Sequence, residues 1–269
     1  MLETGNGPST PHGDNLLNDF ARGEADAFAE LARARGERVL ENEEFALTMT
    51  DGGSPSLFGN VVMLRRPLLS DEWPVAARRM HTFFAQQAGG PFMTFCGWPT
   101  PDVRPLGFGA IGHPPLMFRP PGPLDTTVPD DFEIRSVTDA ETAAQYERVL
   151  VSGFPIPDLD PEQTGALITA DPGSTPHWRH FVGYLSGQPV ATGSAYVDPQ
   201  HVHVEFIATL EPARGRGIGA AITAAATTAA PDVPAMLIAS DLGRPVYERL
   251  GYVTMLRFTL WAGHRAHGG

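Results

Sequence analysis

One stretch of the sequence, Arg214-Gly215-Arg216-Gly217-Ile218-Gly219-Ala220, constrains the possible folds more than any other. An apolar, strand-like run ending at Thr209 precedes it, and an alanine-rich run typical of a helix follows it. Glycine tolerates positive φ and lets another molecule approach the backbone closely. A helix that begins here points its unpaired N–H groups and the positive end of its dipole towards that molecule. The stretch therefore predicts an anion site at a strand-to-helix junction, and phosphate is the usual anion.

The basic residues exclude several kinds of phosphate chemistry. All 19 of them are arginine, so the chain contains no lysine. A Walker A loop needs a lysine, as do Schiff-base chemistry and a lysine general base. The formal net charge of −12 argues against a nucleic-acid partner, which would need a basic face, and is compatible with a cationic substrate.

The compartment is predicted from three features of the sequence. No apolar run approaches the length of a membrane span, so no membrane partner is expected. The start, Met1-Leu2-Glu3-Thr4-Gly5-Asn6, lacks the positive and apolar regions of a secretory signal. A single cysteine, Cys96, cannot form an intrachain disulfide. These features favour a cytoplasmic protein.

A proline-rich segment predicts a boundary between two domains, because prolines make a chain stiff and non-helical. We expect a flexible N-terminus at 1–13, an N-terminal α/β domain at 14–118, a linker at 119–130 and a second domain at 131–269. The second domain has the clearer pattern of elements. Its predicted order is strand 132–135, helix 138–152, short helix 160–170, hairpin 180–196, strand 201–209, glycine loop, helix to 230, strand 236–240, short helix 244–250 and strand 254–261.

Two separated motifs in this order resemble the GCN5-related N-acetyltransferases (GNAT family). The first, Arg214-Gly215-Arg216-Gly217-Ile218-Gly219, matches the family's Gln/Arg-x-x-Gly-x-Gly/Ala signature. The second runs from Ser240 to Tyr252 and places a tyrosine, Tyr247, four residues before the Gly251–Tyr252 pair. The resemblance covers 131–261 and implies a mixed, mostly antiparallel sheet flanked by helices.

The resemblance also implies acetyl-CoA as cosubstrate, with no metal. The loop would cradle the pyrophosphate through the amides of Gly215, Arg216, Gly217, Ile218, Gly219 and Ala220, with Arg214 at its start. The strand end at Ile207-Ala208-Thr209 would pair with the pantetheine arm, and an amide at or near Ile207 would polarise the thioester carbonyl. Ser240 stands where many relatives carry Asn, and would contact the cofactor.

A dinucleotide-binding fold is the alternative interpretation of the glycines. Gly215-x-Gly217-x-x-Ala220 formally satisfies its fingerprint. That fold needs an acidic residue about 20 positions further on, at the end of the next strand. Asp232 comes too early and lies in a proline-flanked loop, which weakens this alternative. A plain glycine turn is the structural alternative, and the second motif argues against it.

Tyr247 is the candidate general acid, because the corresponding tyrosine protonates the departing thiolate in the family. Either Glu205 or His203 could be the general base. His201, His203, Glu205 and Ile207 share one face of a strand if the side chains alternate regularly. His201-x-His203 could also be a metal pair, but a third ligand is lacking nearby. A packing tyrosine and surface histidines are the corresponding structural alternatives.

The sequence therefore predicts an N-acetyltransferase that moves the acetyl group directly from acetyl-CoA to an amine. The acceptor would be a small-molecule amine or a peptide or protein N-terminus, and the enzyme a monomer or homodimer. A non-catalytic acyl-CoA-binding or regulatory protein is the alternative. The first half follows a similar order of elements without the glycine loop, so it would be a degenerate copy of the same fold that walls the substrate cleft.

Overall fold

The computed structural model describes residues 16–54, 56–86, 90–154, 156, 158–163 and 165–263. The segment expected to be flexible, 1–13, lies outside the described residues. Within them the chain forms two mixed β-sheets flanked by helices, which confirms the predicted α/β fold class. Among the described helices, none has the length and apolar character needed to cross a lipid bilayer.

The elements are numbered in chain order over the described residues. The helices α1 to α5 are Leu16–Ala34, Trp73–Ala85, Ala140–Gly153, Ile218–Thr227 and Arg244–Arg249. The strands β1 to β6 are Arg38–Asn42, Leu47–Asp51, Asn60–Leu64, Phe92–Cys96, Phe108–Gly112 and Pro115–Arg119. The strands β7 to β13 are Phe132–Ser136, Trp178–Leu185, Gln188–Val197, Val202–Thr209, Ala235–Ile238, Val253–Arg257 and Thr259–Gly263.

The two sheets share one arrangement. The first has the order β1-β2-β3-β4-β13-β5, and the second has the order β7-β8-β9-β10-β11-β6-β12. Each begins with antiparallel neighbours and then contains one parallel pair, β3 with β4 and β10 with β11. A helix, α2 or α4, connects the two strands of each parallel pair. The first half is therefore a second copy of the fold, as the order of its elements predicted.

The sheets exchange their last strands. Strand β6 from the first half lies between β11 and β12 of the second sheet, and both pairings are antiparallel. Strand β13 from the second half lies between β4 and β5 of the first sheet in the same way. The linker at 119–130 separates the halves in sequence, whereas each sheet contains one strand from the other half. Separating the halves would break backbone hydrogen bonds in both sheets.

Helix α1 brings the first half into contact with the second sheet. Its apolar face packs on the first sheet, and it also contacts β10. Phe20 stacks on the ring of His203 at a centroid distance of 5.4 Å. The indole N–H of Trp178 donates to the carbonyl of Ala27 at 3.2 Å. The helix therefore places its side chains beside the strand that carries the candidate base.

The short helix expected over 160–170 is absent from the described residues there, which form turns and bends. The carboxylate of Glu147 accepts the N–H groups of Gly165, Ala166 and Leu167 at 2.5, 2.7 and 2.8 Å. A buried carboxylate thus takes the amides that helical carbonyls would otherwise accept, and the prediction of a helix was wrong.

We expect Gly23→Ala to lower the free energy of unfolding. A Cβ at Gly23 would lie 2.1 Å from Nε2 of His203 and 3.0 Å from Oδ2 of Asp198. Overpacking of this kind costs about 1–3 kcal/mol, although Gly→Ala inside a helix ordinarily gains about 1 kcal/mol. Urea denaturation measures the change. The matched control is Gly219→Ala in α4, where the nearest atom is 3.5 Å away and stability should not fall. A more stable Gly23→Ala variant would contradict this packing of α1 on β10.

Candidate active site

Strands β10 and β11 separate where the candidate catalytic residues lie. Their parallel pairing consists of Val202 with Ala235 and His203 with Met236. Three residues later Phe206 has a φ of 55°, the left-handed region that a bulky residue rarely adopts. The register between β10 and β9 shifts between Glu205 and Ala208. This β-bulge bends β10 away from β11 and opens a cavity between the strand ends.

The cavity has an inner and an outer part that share eight lining residues. The inner part has a volume of about 120 Å³ and reaches Val204, Phe206, Ile207 and Tyr247. The outer part has a volume of about 480 Å³ and reaches Glu24, His113, Asp241 and Arg257. The shared lining is Phe28, Phe58, Met93, Phe95, Phe154, Glu205, Ile238 and Ser240. Both halves of the chain therefore form its walls.

The first half was expected to wall this cleft. In that half, His113 lines the outer cavity. Trp73 and Phe108 are buried in the core of the first half, and Trp98 packs against that core. The aromatic wall is made by other residues, Phe28 on α1 and Phe95 on β4 among them.

The glycine loop has the backbone of an anion site. Gly215 and Gly217 have φ values of 77° and 81°, and Gly217 is the N-cap of α4. No side chain of the described residues caps this helix, and the loop is exposed from Arg214 to Gly217. The amides at the start of α4, from Ile218 onward, are therefore open to an approaching anion.

Two contacts fix the position of the loop. The Arg214 guanidinium donates to the carbonyls of Thr209 at 2.9 Å and Gly153 at 3.0 Å, which joins the loop to the ends of β10 and α3. A Cβ at Gly217 would lie 2.2 Å from the carbonyl oxygen of Thr127 in the linker. Gly217 is thus required by its positive φ and by this close backbone approach.

The bulge corrects the expected alternation along β10. Phe206, rather than Ile207, faces α1, since its ring lies 6.4 Å from Phe28 and stacks on Trp178 at 5.8 Å. Ile207 packs with Ile218 and Ile222 of α4. The prediction that Ile207 shares a face with Glu205 was therefore wrong, because a left-handed residue between them reverses the alternation. Ala208 and Thr209 resume the pairing with β9.

Tyr247 and Ser240 reach the cavity from the segment after β11. The Tyr247 side chain lines the inner cavity and is 7% exposed. Burial raises the pKa of this phenol, and Tyr252 and Glu205 add to the effect. The Ser240 hydroxyl accepts the N–H of Gly243 at 3.1 Å, which fixes the turn before α5. Tyr247 therefore stays protonated at neutral pH beside the cavity.

Glu205 lines both parts of the cavity. Burial raises its pKa well above the usual range, and the nearby carboxylate of Glu24 raises it further through charge repulsion and a hydrogen bond between the two carboxyl groups. Sequence reasoning missed Glu24. The signal was present, since Phe20, Glu24, Ala27 and Leu31 follow helical spacing and place a glutamate on the buried face of α1.

His203 is held between two carboxylates, which argues against its predicted role as a base. The side chain is fully buried, with Nδ1 3.0 Å from Oε1 of Glu24 and Nε2 3.0 Å from Oδ2 of Asp198. These two hydrogen bonds outweigh the effect of burial and raise the pKa of His203 to about 9. An imidazolium that donates both protons has no lone pair to accept another. Of the two candidate bases, Glu205 is the one that lines both parts of the cavity.

The hydrogen bonds of His203 to Glu24 and Asp198 also argue against a metal site at His201 and His203. The rings of His201 and His203 are 6.4 Å apart, and both nitrogens of His203 already bind carboxylates. Among the described residues, no group of three or more His, Cys, Asp or Glu side chains is arranged to hold a metal ion. The pair does not fit a metal site in this geometry.

Comparison with solved structures supports the two-half fold. A GCN5-related N-acetyltransferase from Kribbella flavida matches with a TM-score of 0.68 at 20% identity, over 94% of this chain and 96% of that one. One from Sphaerobacter thermophilus matches with a TM-score of 0.56 at 11% identity, over 94% and 95%. A conserved protein of unknown function from Staphylococcus epidermidis matches with a TM-score of 0.60 at 17% identity, over 85% and 94%. At such identities these matches show the fold.

A family model matches part of the sequence directly. No curated protein matches the chain at a significant level. The model of the acetyltransferase (GNAT) family matches residues 144–252, a segment that contains β10, the glycine loop and Tyr247. Residues 144–252 therefore match the sequence pattern of a GNAT acetyltransferase domain.

Proposed function

We propose that this protein transfers an acetyl group from acetyl-CoA to an amine by direct attack. One observation carries the proposal. Glu205 and Tyr247 line a single cavity at the point where β10 leaves β11, and the amides of the glycine loop lie at the end of the same strand. A proton acceptor, a proton donor and an anion site thus surround one space, which is what acyl transfer from a phosphorylated thioester requires.

The second half would hold the cosubstrate. The amides from Gly215 to Ala220 lie in the exposed loop and the first turn of α4, and they would bind the pyrophosphate. The β10 segment at Ile207-Ala208-Thr209 would pair with the pantetheine arm, and an amide at the bulge would donate to the thioester carbonyl. Arg214 would act indirectly, because its guanidinium already binds two backbone carbonyls.

The proton transfers in this reaction assign different roles to Glu205 and Tyr247. The neutral amine attacks the acetyl carbon, a C–N bond forms and the C–S bond breaks, with the electron pair leaving on sulfur. Glu205 takes the proton that the amine releases, and Tyr247 gives its proton to the thiolate. A carboxyl group with a raised pKa suits the first role, and a phenol that stays protonated suits the second.

The acceptor would be an amine attached to an apolar body. Four phenylalanines, Phe28, Phe58, Phe95 and Phe154, line both parts of the cavity. The carboxyl groups of Glu24, Glu205 and Asp241 also line the outer part. Aromatic walls favour an apolar group, and carboxylates favour an ammonium over a carboxylate on the acceptor.

We expect Gly219→Glu to weaken the binding of coenzyme A while the fold persists. A carboxylate in the first turn of α4 is favourable for the helix but repels a phosphate at the same place. Calorimetric titration should show affinity falling by more than roughly tenfold. Thr228→Glu, at the exposed C-terminal end of α4, adds the same charge away from the loop and should not weaken binding. Equal affinities in the two variants would argue against the anion site.

We expect Tyr247→Phe to lower the rate of amine-dependent thiol release by about a hundredfold, the usual effect of losing a general acid. The matched control is Tyr252→Phe, since the Tyr252 hydroxyl bonds Thr227 at 2.7 Å rather than facing the cavity. Coenzyme A binding should survive in both variants. A wild-type protein that binds acetyl-CoA but releases no more thiol than Tyr247→Phe with any amine would favour the non-catalytic alternative.

We expect phenylethylamine to be a better acceptor than ethylamine or phenylalanine. Burying a phenyl group contributes about 2 kcal/mol, which corresponds to about thirtyfold in kcat/KM over ethylamine. The carboxylate of phenylalanine would be repelled by the acidic groups of the outer cavity. Thiol release measured with the three amines tests the order, and a preference for ethylamine would exclude an aromatic acceptor subsite.

A further inference from the structure

Glu24 of α1 lies beside Glu205 at the outer cavity. We propose that Glu24, from α1 of the first half, is a positioning residue that orients Glu205 and sets the pH at which it accepts a proton. The two carboxyl groups share a hydrogen bond, and both line the outer cavity. A hydrogen bond between two carboxyl groups requires at least one proton, so the protonation of Glu205 depends on its contact with Glu24.

A hydrogen bond from the protonated His203 ring holds the Glu24 side chain in place. It is 2% exposed, and Nδ1 of His203 donates to its Oε1 at 3.0 Å. Nε2 of the same ring donates to Asp198 at 3.0 Å, and Asp198 is the more exposed end of this chain of contacts. Gly23 leaves the space that the His203 ring occupies against α1. These contacts leave Glu24 little freedom to turn away from Glu205.

Other titratable groups face Glu205 from each neighbouring element. Tyr146 on α3 and Tyr247 on α5 interact with its charge. His180 on β8 reaches the same face of the sheet through a hydrogen bond of 2.6 Å to Ser194. The more distant groups at the outer cavity are His113, Asp241 and Arg257. Glu24 is the one carboxyl group among these that hydrogen-bonds Glu205, so its charge has the largest effect on when Glu205 ionises.

This proposal rests on the proposed function in one respect, the role of Glu205 as the base. The effect of Glu24 on the ionisation of Glu205 can be measured whether or not the protein catalyses a reaction. Removing the negative charge of Glu24 should let Glu205 ionise at lower pH, since a like charge no longer opposes it. Removing the positive charge of His203 should have the opposite effect, because a cation beside the two carboxyl groups favours their ionised form.

The test titrates the infrared C=O band of the protonated carboxyl group in the full-length protein. The band that is missing in Glu205→Gln belongs to Glu205. We expect its midpoint to fall by about one pH unit or more in Glu24→Gln and to rise in His203→Gln. Asp26→Asn, an exposed position two residues further along α1, is the control and should leave the midpoint unchanged. The acid limb of kcat/KM should move with the midpoint in each variant.

The outcomes separate the two proposals. A midpoint that stays in place in both Glu24→Gln and His203→Gln overturns the role of Glu24, whatever the activity. If Glu24→Gln does not fold, the rise expected for His203→Gln decides the question, and an unchanged midpoint there overturns the proposal. If the wild type shows no amine-dependent thiol release, the proposed function fails and the infrared midpoints still decide whether Glu24 controls Glu205.

Discussion

The exchange of β6 and β13 is the constraint on which the rest of the molecule depends. Each sheet needs a strand from the other half to complete its hydrogen bonds, so neither half has a complete sheet alone. The exchange holds the two sheets close enough for α1 to pack on both. The cavity lies between them, with walls from α1 and β4 on one side and from β10 and β11 on the other. A site of this kind cannot exist in either half separately.

Within that frame, one residue creates the cavity. Phe206 in the left-handed region costs about 1–3 kcal/mol, which its surroundings must offset. Its ring packs on Phe28 and Trp178, and its carbonyl accepts the hydroxyl of Thr192 at 3.1 Å. The strain is therefore supported by contacts from both halves. Beyond this bulge β10 diverges from β11, and Glu205 lines the opening between them.

The sequence was sufficient for features that depend on neighbouring residues. The glycine loop, the hairpin of β8 and β9, and the position of Tyr247 follow from local patterns, and the structure has them where they were predicted. Features that depend on long-range packing were missed. Nothing near Thr259 indicates that β13 joins the first sheet. The left-handed Phe206 reverses an alternation that the pattern of residues alone would continue.

His203 shows why a residue type does not define a role. Its neighbours in sequence are apolar, and from these an imidazole with an ordinary pKa would be expected. The two carboxylates that change this are Asp198, at the start of the turn before β10, and Glu24, which is remote in sequence. The helical pattern of α1 predicts that Glu24 is buried, but it cannot predict that Glu24 contacts His203.

Helix α2 connects the parallel strands β3 and β4, and helix α4 connects the parallel strands β10 and β11. The two helices begin differently, which explains why only α4 offers a candidate anion site. In the second half, α4 begins at a glycine with positive φ, and no described side chain caps it. In the first half, the corresponding helix α2 begins after Glu72, whose carboxylate accepts the N–H of Leu69 at 2.7 Å and both terminal nitrogens of Arg66. These bonds lower the pKa of Glu72 to about 2.

A carboxylate of the chain itself thus lies at the start of α2, where a phosphate would have to bind, and it would repel one. The connection before it contains Pro67 and no glycine, so its backbone cannot readily adopt the positive φ values seen at Gly215 and Gly217. The copy without the loop is the one that supplies Glu24 and the aromatic side chains of Phe28, Phe58 and Phe95 to the cavity. Under the proposed function the two copies would have different tasks, since one would present the cofactor site and the other would shape the space in which the acceptor meets Glu205.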